Sequence, residues 1–107
     1  MGSARIEIFR RAGKHDRYPG SVMGTPLQVE AALTTTTAAL DPEDRVAINA
    51  NARYNDLTVR ITGNEDMYVT CGADPTVSAT TGYLIKSGVP FEFQAREGEL
   101  IDVMDVA

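Results

Sequence analysis

Leu57, Val59 and Ile61 alternate with Thr58, Arg60 and Thr62. A strict period of two is the spacing of one face of a β-strand, and an α-helix cannot keep such residues on one side. The alternation returns in Met67, Val69 and Cys71 against Tyr68 and Thr70, in Phe91 and Phe93 against Glu92 and Gln94, and in Ile101 and Val103 around Asp102. Glycine-bearing turns separate these runs at 63–66, 86–90 and 96–99, and Tyr83-Leu84-Ile85 supplies a further short strand. Towards the N-terminus, Ile6 and Ile8 share a face within residues 5–9, and Leu27, Val29, Ala31 and Leu33 alternate with their neighbours. Thr25-Pro26 and the alanines also suit a helix start, but four successive threonines at 34–37 oppose its continuation, so 27–33 is expected to be a strand. Asp41–Asp44 reads as a turn, and Arg45–Ala50 as a strand with Val46 and Ile48 inward. Seven or eight short strands with turns every 8–12 residues predict an all-β fold, a small β-sandwich or jelly-roll-like barrel of antiparallel strands.

One stretch has no period. Residues 10–26 (RRAGKHDRYPGSVMGTP) hold three glycines and two prolines and read as an extended arm. The expected organisation is therefore a basic N-terminal arm over 1–26, carrying one short strand, and a β-domain over 27–107. Charge follows the same division. Residues 1–17 carry Arg5, Arg10, Arg11, Lys14 and Arg17 against Glu7 and Asp16, a net +3. The remaining chain carries five basic and thirteen acidic side chains, a net −8, which makes up the overall −5. A basic arm on an acidic body suits an acidic surface or a nucleic acid as the arm's partner, whereas the body repels nucleic acid; the alternative is that five basic residues merely keep a terminus soluble.

Candidates for chemistry are few. One cysteine, one histidine and no tryptophan exclude a disulfide framework and an all-protein zinc site. His15 stands alone among charged neighbours and reads as solvated. Cys71 falls at an inward strand position, where a thiol packs as a small apolar group. Asp41, Glu43 and Asp44 lack the glycine and distal glutamate of a calcium loop and read as a solvated acidic turn. Asp102 lies between inward Ile101 and Val103 and is expected to point outward; with Asp105 it forms no convincing acid–base pair. Neither phosphate-binding glycine motif occurs, and Phe91 and Phe93 are flanked by Glu92 and Gln94 rather than by the basic residues of a base-stacking platform. Tyr54 and Tyr83 are the two aromatics suited to stacking on a sugar. No run approaches the ~20 apolar residues of a membrane span, and the N-terminus has neither a secretory leader nor, with Ile6 where Ser or Thr is required, a myristoylation signal. A non-enzymatic protein without metal or cofactor is expected.

The C-terminal half has a distinctive cadence: Leu57–Thr62, Met67-Tyr68-Val69-Thr70-Cys71-Gly72, then Ala73-Asp74-Pro75-Thr76-Val77-Ser78-Ala79-Thr80. Gly88-Val89-Pro90-Phe91-Glu92-Phe93, Gly98 and Ile101-Asp102-Val103 follow. Over 57–103 this resembles a family of small β-rich virion proteins of tailed bacteriophages. The resemblance implies a capsid decoration (cement) protein on the outer capsid surface, made in the host cytoplasm. Its partner would be the major capsid protein, bridged at local symmetry axes, and its own state a homo-oligomer, by family habit a trimer. Arg10, Arg11, Lys14 and Arg17 would then lie on an acidic capsid surface, where arginine forks suit carboxylates. No direct nucleic-acid or membrane contact is implied. The same resemblance admits a head–tail connector or a tail or fibre component, and a β-sandwich carbohydrate-binding module is the reading of another class.

Overall fold

The computed structural model describes residues 2–10, 26–49 and 57–106. Eight strands are present: β1 (Gly2–Arg10), β2 (Gln28–Thr35), β3 (Val46–Ala47), β4 (Leu57–Gly63), β5 (Met67–Gly72), β6 (Tyr83–Ile85), β7 (Phe91–Ala95) and β8 (Leu100–Asp105). They form two four-stranded sheets, ordered β2-β1-β4-β7 and β3-β8-β5-β6, with every pairing antiparallel. The one helical turn among the described residues is a 3₁₀ turn, Pro42–Asp44. No helix there is long and apolar enough to cross a membrane.

The alternation places the core. Ala4, Ile6 and Ile8 of β1 and Leu57, Val59 and Ile61 of β4 meet Met67 and Val69 of β5 and Ile101 and Val103 of β8 in one buried cluster, which Val46, Ile48, Ile85 and Ala95 complete. Full burial of an aliphatic side chain contributes about 1.5–3 kcal/mol, so the shared interior is the main stabilising term. The sequence expectation is met for β4 to β8 to within two residues at each end. Over 27–33 the strand reading is the observed one. The region 45–50 forms a two-residue strand, although Val46 and Ile48 are inward as expected.

The first strand differs most. Expected over five residues at the root of an arm, β1 spans nine and lies between β2 and β4. Besides Arg10, its extra residues are small and lie at the N-terminal end: Gly2 pairs with Thr35, Ser3 with Thr34 and Ala4 with both Leu33 and Gly63. Gly2 is required by close approach, because a Cβ there would collide with Asp105 Oδ1, Thr35 Oγ1 and the Met67 methyl. Phe9 faces away from the core yet is buried, because the Arg60 guanidinium covers its ring at 5.3 Å while also bonding Glu92 at 3.3 Å. The segment 1–26 thus contributes an inner strand to the body. His15, Tyr54 and three of the four expected arm contacts, Arg11, Lys14 and Arg17, lie outside the described residues.

Candidate functional site

Both flanks between the sheets carry clefts. On one side β2, an edge strand, runs beside β3, the edge of the other sheet. The Gln28 amide bridges them, donating from Nε2 to Ala47 O (2.8 Å) and accepting from Asn49 N–H (2.9 Å). Between the strands lies a groove of about 840 Å³. Its apolar lining comes from Leu33, Ala38, Ala39, Leu40, Val46 and Ala47, and its acidic rim from Glu30, Asp41, Glu43 and Asp44. The carboxylate oxygens of Asp41, Glu43 and Asp44 lie within 4.8 Å of one another, all exposed, as a solvated acidic turn should be. Glu30 stands on the inner face of the edge strand, in register with Ile6 of β1.

The loops that frame this groove are held by two carboxylates that the sequence does not mark as buried. Asp102 was expected to point outward. It does face away from Ile101 and Val103, but it is fully buried, because residues 36–45 and 73–78 cover that face of β8. Its Oδ1 accepts from Leu40 N–H (2.9 Å) and its Oδ2 from Val77 N–H (3.0 Å). Arg45 Nε stands 3.8 Å from Oδ2, while the Arg45 guanidinium bonds Asp74 at 3.1 Å. Asp105 lies on the inward side with Ile101 and Val103, 2% exposed, where it accepts from Thr35 Oγ1 (2.5 Å) and Gly2 N–H (2.9 Å). The shared parity of 101, 103 and 105 was the signal for Asp105; none existed for Asp102, because loops distant in sequence bury it. With every bond directed to structure, the two carboxylates work as pins rather than as an acid and a base.

The opposite flank is apolar. Tyr83, 62% exposed, sits 5.5 Å from the Phe91 ring, which is 6.0 Å from that of Phe93. A cleft of about 360 Å³ between β5, β6 and β7 is lined by Val69, Thr70, Cys71, Thr81, Tyr83, Phe93 and Gln94. Phe91 and Phe93 pack against the core as expected, although each is only half-buried at this edge. Cys71 packs there too, and burial, then the nearby Glu99 charge, pushes its thiol up to about 12. At pH 8 this leaves very little thiolate, and the greater nucleophilicity of the more basic thiolate offsets the loss only in part. Labelling of the native protein by iodoacetamide is therefore expected to run more than about tenfold slower than that of an unperturbed thiol, with full rate restored in 6 M urea.

Among the expected contact residues, Arg10 is described: exposed, at the end of β1, opposite Leu57. The loop 73–82 is ordered through local hydroxyl bonding, as its composition predicts: Ser78 Oγ accepts from Thr80 and Thr81 N–H (3.3 and 3.2 Å). Pro75 and Val77 nonetheless tuck inward. No family model, curated protein or solved structure matches this chain.

Proposed function

We propose that the protein is a non-enzymatic phage virion component, a capsid decoration protein that binds and stabilises the lattice of the major capsid protein. The observation that carries the reading is the separation of charge in the sequence: Arg10, Arg11, Lys14 and Arg17 fall within a basic first seventeen residues, and the remaining chain is acidic, with its long loops pinned to one core. A body of this kind is a stiff peg. Its two antiparallel sheets suit a β-sandwich, and the finer jelly-roll-like arrangement belongs to the same proposal. The cadence over 57–103 supplies the link to virion proteins. The basic segment holds the peg to a neighbouring subunit of the shell, by salt-sensitive contacts that arginine makes bidentately.

Deleting residues 1–20 is a poor test, because it removes an inner strand. The triple variant Arg11→Glu/Lys14→Glu/Arg17→Glu leaves β1 whole. Cosedimentation with empty shells of the major capsid protein of the same virion is expected to pull down the wild type. The variant is expected to bind at least about tenfold more weakly, a loss of ~1.4 kcal/mol. Wild-type protein that stays in the supernatant at low salt overturns the reading.

A carbohydrate-binding module is the second reading, and the exposed Tyr83 beside Thr70, Thr81 and Gln94 favours it. Binding on a glycan array that is lost in Tyr83→Ala would establish it. Pull-down with tail assemblies and not with shells would instead favour a connector or tail component.

A further inference from the structure

The groove between β2 and β3 has a charge that calls for an occupant. Its rim carries four exposed carboxylates, Glu30, Asp41, Glu43 and Asp44. The one basic residue in its lining, Arg45, is turned away to Asp74 and Asp102, with its side chain 9% exposed. Beneath the rim lies an apolar floor of Leu33, Leu40 and Val46. The volume, about 840 Å³, falls within the roughly 300–1,000 Å³ of clefts that hold ligands. Along one wall runs the outer edge of β2, which pairs with β1 on its other side. Such an edge offers main-chain bonding to an extended segment.

The matching charge is in the same chain. Residues 11–17, RAGKHDR, carry Arg11, Lys14 and Arg17 against one acid, Asp16. Three cations against one acid are opposite in sign to a rim on which the Asp41, Glu43 and Asp44 carboxylates cluster within 4.8 Å of one another. Fifteen residues, 11–25, lie outside the described residues between Arg10 and Pro26, enough for a reach of roughly 25 Å out and back.

We infer that the groove receives the segment 11–17 of a second copy of this chain. The inference rests on the proposed function for one point, that many copies stand close together on a shell. The groove of a neighbouring copy is then a second acidic surface for the basic segment, beside that of the shell. Because groove and segment are different surfaces, the contact is head-to-tail, and it closes into a ring where the rotation permits. Linked copies gain avidity for the lattice without further contacts.

The test needs no shell. Sedimentation velocity of the full chain, from micromolar to millimolar at 20 and 500 mM NaCl, is expected to show association at low salt that salt reverses. The arm variant Arg11→Glu/Lys14→Glu/Arg17→Glu and the groove variant Glu30→Lys/Glu43→Lys/Asp44→Lys are each expected to associate at least tenfold more weakly. Their equimolar mixture, and a chain carrying both sets, are expected to regain association, since the reversed charges again match. Urea midpoints identify any variant that fails to fold, and Glu43→Gln/Asp44→Gln then takes its place, with a severalfold weakening expected. A wild type that is monomeric throughout, including one whose segment occupies its own groove, overturns the inference. So does association that neither charge set changes. Failure here with retained shell binding leaves the proposed function standing; association without shell binding does the reverse.

Discussion

Asp102→Ala is expected to lower the unfolding free energy by about 3–5 kcal/mol, the usual cost of removing one member of a buried ion pair. Two effects combine. Arg45, its side chain 9% exposed, loses the Asp102 carboxylate 3.8 Å from its Nε and keeps Asp74, which is 92% exposed. The Leu40 and Val77 amides also lose their acceptor, and a buried amide left unpaired costs about 1–3 kcal/mol. Asp102→Asn is expected to be milder, because the amide oxygen still accepts one of the two bonds. Urea unfolding followed by circular dichroism gives both values. An alanine variant within ~0.5 kcal/mol of wild type would mean that the loops 36–45 and 73–78 hold without their pin.

The second large effect is at Asp105. Asp105→Ala is expected to cost about 2–4 kcal/mol, since it strands the Gly2 N–H and the Thr35 hydroxyl beside the core. Thr35→Val, nearly isosteric, removes one donor and leaves the carboxylate with Gly2, for a loss of about 1–3 kcal/mol. Asp102 and Asp105 share no partner, so their costs are expected to add to within about 0.5 kcal/mol. A domain of this size holds roughly 5–15 kcal/mol in all, and the double variant is expected to lose about 5–9 kcal/mol of it. A double variant that loses less than about 2 kcal/mol would contradict the assignment of these carboxylates as the structural pins.

The two halves of the chain differ in how much of this was legible beforehand. From Leu57 onward each strand writes its own signal, because inward aliphatics alternate with threonine, arginine or glutamine, and each turn carries its glycine or proline. Gly2-Ser3-Ala4 carries no such signal. These residues are strand because they pair with Leu33–Thr35 of β2, and at Gly2 the neighbours leave no room for a Cβ, both properties of the assembled sheet. β3 ends after two residues because the return bond of the next pair is displaced: Ile48 N–H bonds Glu99 O, its partner in register, but Ile48 O accepts from Gly98 N–H while Glu99 N–H turns to Arg96 O. Burial of Asp102 was hidden for a related reason. Parity predicts which face of β8 it takes, and tertiary packing decides whether that face meets water. The acidic groove was half legible, with Asp41, Glu43 and Asp44 visible as a cluster. Its union with Glu30 depends on the long connection from β2 to β3.

The proposed place of this chain, on a shell whose subunits it joins, is visible in an electron cryomicroscopy map of the intact virion. The expected result is density for the two-sheet body on the outer capsid surface at local symmetry axes, touching at least two lattice subunits, with residues 10–17 reaching a neighbour. A shell without this density, or density confined to the tail or connector, would contradict it.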